Sequence, residues 1–401
     1  MDFYGYMRPN GKAGARNYVL LLPVNRSLNF IASNVERMTR NTRHFEIPAE
    51  TGRTEVDREV IARTLIGLMN NANVGGIVLL AVKSGAGSAY KNMCAERFEE
   101  EARKTGKPLR IVYLTNVGGS YNMLGETLRL TREVLLEVSD FRRENCPLSA
   151  LTLGVKCGTS DATSGIAGNP CVGAAFDQLI RAGGTAFFSE TTEIIGAEDL
   201  VAKRAVNESV AKKILSAARH WEDKAKATGE DIRKINPIPA NIAAGISSLE
   251  EKSLGAIAKS GTSPIQDVLK YAEMPKGSGL YFVDSWMSSL SLPLWLTACG
   301  ATIMLYQMGG GKIAQHPMMP SINPTVVSPF LYLTGNAVAY SRAPDNFDFD
   351  ASSIMTEGAS IPEMGTKLLE HLSAIASGTM TKMETLNYAE QLELYMEGPV
   401  L

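Results

Sequence analysis

The chain has 401 residues, 45% of them hydrophobic and 20% charged, with a formal charge of −2. That length allows two or three cores of ordinary size, and the near-neutral balance gives no electrostatic basis for binding nucleic acid or an anionic membrane. No apolar run reaches the roughly 18 to 20 residues a bilayer requires, and the first residues lack a signal peptide's apolar core, so a cytoplasmic protein is expected.

In chain order, short apolar runs predict buried parallel strands, which carry apolar side chains on both faces. They are YVLLLP (18–23), GIVLLA (76–81), RIVYL (110–114), LTLGV (151–155), TAFFS (185–189), GLYFVD (279–284) and ATIMLY (301–306). Amphipathic helical spacing separates them over 56–69, 126–138 and 201–224, and returns over 364–394. Strands alternating with helices predict an α/β fold, with largely parallel sheets and flanking helices in two Rossmann-like lobes. DFRRENCPL (140–148) interrupts the pattern with charge and proline, dividing an N-terminal lobe (1–147) from a C-terminal one (148–401). A further break is expected over 229–245, where the prolines of NPIPAN oppose a regular helix.

Five scattered cysteines (94, 146, 157, 171 and 299) with no CxxC pair exclude a disulfide framework and a zinc ribbon. Cys157 differs from the rest because it lies in a glycine-rich turn, KCGTSD (156–161), after a strand. Ligands of open α/β sheets bind beyond the carboxyl ends of strands. Three more strand ends here continue into polar or glycine-rich sequence: ETTE (190–193) with Glu198 nearby, Asp284-Ser285, and MGGGK (308–312) with His316 beyond. The glycine run is no Walker loop, because Lys312 is followed by Ile313, and no GxGxxG, HExxH or GxSxG occurs. What remains is a polar site of lysine, thiol, carboxylates and backbone amides, suited to a small anionic substrate with a divalent metal.

These residues resemble a known family. GYMRPNGKAGARN (5–17), KCGTSD running on to Ser164-Gly165 and Asn169-Pro170, and SETTE with Gly196-Ala197-Glu198 resemble the altronate/galactarate dehydratase family. NIAAG (241–245), EEKSLG (250–255) and GLYFVD continue the likeness over nearly the whole chain. The resemblance implies a lyase that eliminates a group β to a carboxylate, with Fe²⁺ (or Mn²⁺ or Mg²⁺) as cofactor. The family's dehydratases carry Cys and His groups where this chain reads Asn25-Arg26-Ser27, Gly52-Arg53 and Val82-Lys83-Ser84. The (2R)-sulfolactate sulfo-lyase branch resembles this chain in lacking them. Sulfite loss from 3-sulfolactate is therefore the expected reaction, with dehydration of a sugar acid such as altronate or galactarate second. A ligand-binding paralogue without catalysis is the reading from another class. The resemblance also implies a homo-oligomer, and a separate small subunit in place of the β-rich domain that precedes residue 5 in single-chain members.

On this reading Lys156, Cys157 and His316 are the expected catalytic residues. Arg26, Arg53, Ser160, Asn169, Thr191 and Lys312 are expected to bind substrate, and Cys157, Asp161, Glu190, Glu193 and Glu198 to hold the metal. A thiolate beside Lys156 would have its pKa drawn down, and a desolvated Lys156 could serve as the base.

Overall fold

A computed structural model describes residues 1–48, 52–83, 91–310, 322–387, 389, 391 and 393–399. Strands in chain order are β1 (Asp2–Met7), β2 (Ala13–Gly14), β3 (Tyr18–Pro23), β4 (Thr42–His44), β5 (Val74–Ala81), β6 (Leu109–Tyr113) and β7 (Glu144–Pro147). They continue as β8 (Thr152–Cys157), β9 (Thr185–Phe188), β10 (Ile265–Leu269), β11 (Gly279–Val283), β12 (Ile303–Met308), β13 (Phe330–Thr334) and β14 (Phe349–Asp350).

The expected α/β architecture is present. One parallel sheet has the order β4-β3-β5-β6, and a larger one, parallel throughout, has the order β10-β11-β9-β8-β12-β13-β14. Their central strands are buried on both faces, which explains the unbroken apolar runs in the sequence. A small antiparallel sheet, β2-β1-β7, joins the N-terminus to the segment read as a boundary; Phe3 pairs with Cys146.

Helices Glu55–Asn70 and Leu292–Ala298 pack together. Gly67 permits the approach, since a Cβ there would lie 2.2 Å from the Ala298 carbonyl oxygen. Beside it, Asn71 Nδ2 donates to the Thr297 and Ala301 carbonyls at 2.8 and 2.9 Å, and Asn73 Nδ2 to that of Thr302 at 2.9 Å. One apolar core consequently runs through both sheets, with Leu20, Leu22, Ile77 and Leu79 joined to Phe187, Trp295, Met304 and Tyr306. A second core lies under helices Asn169–Arg181 and Ile361–Ala376.

Strand order matters most for function. From β8 the chain passes through helix Asn169–Arg181 to β9 on one side, and later returns to place β12 on the other. The carboxyl ends of β8 and β12 thus flank a topological switch point, where open α/β sheets form their crevice.

Two expectations are corrected. The helix expected over 201–224 is two, Glu198–Ala202 and Glu208–Ala227, the second started by the Asn207 side chain accepting from Val210 N at 3.0 Å. The C-terminal helix stops at Ala376, and a short turn, Lys382–Thr385, follows with a capping box between Thr381 and Glu384. Residues 229–245 hold two short helices, Ile232–Ile235 and Pro239–Ala243, on either side of Pro237. This segment sends Asn236 and Asn241 into the site described next.

Candidate active site

At the end of β8 the strand's alternation sends Lys156 and Cys157 to opposite faces. Lys156 lies over the Tyr306 ring, 5.4 Å from its centroid, on the face that meets the smaller sheet. Cys157 turns the other way, with its Sγ 3.5 Å from Ser160 Oγ, 3.4 Å from Gln307 Oε1 and 3.9 Å from Asn169 Nδ2.

Two residues past β9, Glu190 has φ = 77°, a left-handed backbone that costs a non-glycine residue energy and persists only where its surroundings fix it. That turn aims the carboxylate at β8, where Oε2 accepts from Cys157 N at 2.9 Å and Oε1 lies 3.2 Å from Lys156 Nζ. Lys259, from the turn Ala258–Ser260, places Nζ 2.5 Å from Glu190 Oε2 and 2.5 Å from Glu193 Oε2. Lys156, Glu190, Lys259 and Glu193 therefore form a continuous chain of alternating charge, each member 3% exposed or less.

Burial works against every charge in this chain, and the partners decide the outcome. For Glu190, burial is outweighed by Lys156 and Lys259, which hold the carboxyl down at about 2. In Lys156 and Lys259, burial is outweighed chiefly by Glu190, so both ammonium groups stay protonated far above neutral pH. Burial and the nearby Glu190 push Glu193 up.

Two expectations therefore fail. The Cys157 thiol is not drawn down; burial, reinforced by Glu193, pushes it up to about 11. Lys156 cannot be a neutral base, because its ammonium faces Glu190 and also donates to the Cys157 carbonyl.

Asp161 organises the loop between β8 and helix Asn169–Arg181. Its Oδ1 accepts from Thr163 Oγ1 at 2.6 Å, from Ser164 N at 3.1 Å and from Ser164 Oγ at 3.4 Å. Its Oδ2 accepts from Gly310 N at 2.5 Å and Asn336 Nδ2 at 2.9 Å, tying together the loops after β8, β12 and β13. No side chain fits at Gly310, where a Cβ would stand 2.1 Å from Asn336 Nδ2.

Beside this clamp lies a cavity of about 270 Å³ whose wall includes Ser160, Ser164, Asn169, Lys252, Leu254 and Gly255. Gly165 and Gly255 meet at its side; a Cβ on either would lie 3.0 Å from the other's Cα. Cys157 stands directly behind Ser160 and Asn169. Asn241 braces the wall, giving Nδ2 to the Ser160 carbonyl at 3.1 Å and accepting at Oδ1 from Lys252 Nζ at 3.0 Å.

The structure thus brings together Lys156, Cys157, Ser160, Asp161, Asn169, Glu190 and Glu193. Thr191 instead fastens β9 to the end of β11, its hydroxyl donating to Asp284 Oδ1 at 2.7 Å and accepting from Ser285 N at 3.0 Å. Glu198 lies nearer the surface, accepting from Gly196 N at 2.5 Å and pairing with Arg233 at 2.6 Å. Arg26 opens an exposed turn after β3, and Arg53 precedes helix Glu55–Asn70. His316 and Lys312 lie outside the described residues.

The donor set among the described residues does not fit a divalent metal. Among the described residues no three Cys, His, Asp or Glu side chains converge as ligands. Both Asp161 oxygens are taken by five donors, Lys259 bonds Glu190 Oε2 and Glu193, Arg233 holds Glu198, and Glu190 Oε1, without a hydrogen bond among the described residues, faces the Lys156 ammonium at 3.2 Å.

Lys259, Lys252, Asn241, Gln307 and Asn336 were not anticipated as site residues. Lys259 had one available signal, a lone lysine in the otherwise apolar and small run LGAIAKSG (254–261).

Comparison with known proteins shows the family. Residues 148–399 match the family profile "D-galactarate/Altronate dehydratase, C-terminal", and residues 5–139 match "D-galactarate dehydratase/Altronate hydrolase, second domain". The chain is 32% identical to the (2R)-sulfolactate sulfo-lyase subunit beta of Chromohalobacter salexigens, over 97% of this chain and 96% of that one. It is 29% identical to the altronate dehydratase of Bacillus subtilis, over 100% of this chain and 78% of the relative. Against the galactarate dehydratase (L-threo-forming) of Escherichia coli identity is also 29%, over 99% and 77%. The chain belongs to the D-galactarate/altronate dehydratase family.

Proposed function

We propose that this protein is a lyase that eliminates a group β to the carboxylate of a small 2-hydroxy acid, and that its reaction is loss of sulfite from 3-sulfolactate. The observation that carries this reading is the 32% identity to a sulfo-lyase subunit along almost the full length of both chains. In support, the chain reads Asn25-Arg26-Ser27 after β3, where the dehydratases resemble one another in carrying a cysteine.

In this reaction carbon 2, which bears the carboxylate and hydroxyl, loses its proton. The C3–S bond breaks with its electron pair leaving on sulfite, and the enol takes a proton at carbon 3 and gives up its hydroxyl proton to become pyruvate. The hydroxyl and amide wall of Ser160, Ser164 and Asn169 suits a hydroxy acid. Lys156, fixed as an ammonium against Glu190, does not take the carbon proton. We assign delivery of the proton at carbon 3 to Ser160 Oγ in the cavity wall, with the neutral thiol of Cys157 3.5 Å behind it.

A second subunit belongs to this reading, since that relative is named as a subunit beta. Dehydration of a sugar acid is the second reading, supported by 29% identity to dehydratases. The test is anaerobic turnover of 3-sulfolactate and of a sugar-acid panel, with and without Fe²⁺ and a small partner subunit. Release of sulfite and pyruvate is the expected result. A keto-deoxy acid from a sugar acid transfers the assignment to the dehydratases. Turnover in no lane, with correctly folded protein, refutes the lyase reading in favour of a non-catalytic paralogue.

A further inference from the structure

Three lysines are buried around this site, and two are neutralised. Lys156 and Lys259 each face carboxylates within 3.2 Å. Lys252, 6% exposed on helix Leu249–Ile257, lies within ion-pair distance of no carboxylate among the described residues. An ammonium has three protons to donate. Two go to neutral amides, Asn236 Oδ1 at 2.6 Å and Asn241 Oδ1 at 3.0 Å, leaving the third without an acceptor among the described residues.

Burying an ammonium without a countercharge is costly, and neutral amides offset only part of that cost. Glu193 feels Lys252 only through space and is bonded to Lys259, and the carboxylates in the cavity wall are committed elsewhere. Asp161 takes its five donors, and Glu251 turns back to Ser247, accepting from both its backbone N and its hydroxyl. Lys252 itself lines the cavity. Across that wall, Asn169 Oδ1 is buried with no donor among the described residues, while Asn169 Nδ2 donates to the Gly255 carbonyl at 2.9 Å. One cavity therefore presents a cation lacking an anion and an acceptor lacking a hydroxyl. A 2-hydroxy carboxylate carries both missing groups on adjacent carbons.

We propose that Lys252 binds the carboxylate of the substrate, while Asn169 Oδ1 accepts from the adjacent 2-hydroxyl. This rests on the hydroxy-acid reading above and narrows it. Recognition is directed at the part shared by sulfolactate and the sugar acids, so residue 252 governs affinity for either while leaving the choice of leaving group to other residues.

The probe is racemic lactate, a 2-hydroxy acid without a leaving group, titrated calorimetrically into wild-type protein and into Lys252→Arg, Lys252→Met and Lys252→Gln. The glutamine variant can still donate to Asn241, which separates lost charge from lost packing. Loss of one charged hydrogen bond corresponds to roughly 10- to 100-fold weaker binding. That loss is expected in the methionine and glutamine variants, with arginine retaining most of the affinity. Wild-type protein that fails to bind lactate, or variants that bind it equally well, overturn the proposal. Turnover is read separately. Sulfite release with lactate affinity indifferent to residue 252 removes the proposal and leaves the lyase reading intact. Lactate binding that depends on residue 252, with no turnover, supports the proposal and removes the lyase reading.

Discussion

The sharpest test of the buried charge chain is Glu190→Gln, which keeps the side chain's shape and removes its charge. Glu190 Oε1 lies 3.2 Å from Lys156 Nζ, and Oε2 lies 2.5 Å from Lys259 Nζ. At an effective dielectric near 20 these two attractions are about 5 and about 7 kcal/mol. Desolvation of the carboxylate and its repulsion with Glu193 cancel much of that. Breaking a buried pair by deleting one partner typically costs about 3–5 kcal/mol, because the remaining charges stay buried, and that is the expected loss here. Urea unfolding of both proteins, followed by circular dichroism, measures it. The pH dependence supplies a second signature. The folded carboxyl is held at about 2, below its ordinary 4.5. Its contribution is thus complete above about pH 4.5 and lost as pH falls towards 2. The difference between wild type and variant should be flat near neutrality and shrink only in that acid window. A loss below about 1 kcal/mol at pH 7, or a difference that grows on acidification, would refute the charge chain.

Three further outcomes follow from the same structure. Cys157 is 1% exposed and its thiol is pushed up to about 11, so iodoacetamide at pH 8 should modify the half-buried Cys94 well before it, as peptide mass spectrometry would show; equal labelling would contradict the neutral thiol assigned here. Gly67→Ala should lower stability by about 1–3 kcal/mol despite alanine's helix-propensity advantage of about 1 kcal/mol, because the new methyl group meets the Ala298 carbonyl; a higher melting temperature would show that the helices part easily. Burial pulls the His44 imidazole down, but the Glu36 and Glu46 carboxylates more than reverse this and raise it above 6.5. His44→Gln should therefore cost stability below about pH 6.5, with the difference fading as pH rises through the folded pKa; thermal melts at pH 6 and pH 9 would expose a difference of the opposite sign.

Sequence alone determined the fold class and much of the element order. Runs such as YVLLLP and GIVLLA are apolar at every position, and only a strand covered on both faces requires that. KCGTSD and SETTE were legible as chemistry because polar residues followed strands that had to be buried. Shorter elements were not legible in the same way. Strand β10 is half-exposed at its centre, and β4 has three residues, too few for a period to register.

What tertiary structure decided was the electrical state of the site. Lys156 and Cys157 are neighbours in sequence, which suggested a lysine lowering a thiol's pKa; strand alternation sends them to opposite faces, and burial raises the thiol instead. Lys259 lies 69 residues from Glu190 and 66 from Glu193, yet it holds both. Pairing of that kind depends on which strand ends and turns the sheet order brings together, a property no local window contains. The same holds for Lys252, which has no ion-pair partner among the described residues because its neighbours in space are Asn236, Asn241 and an open cavity.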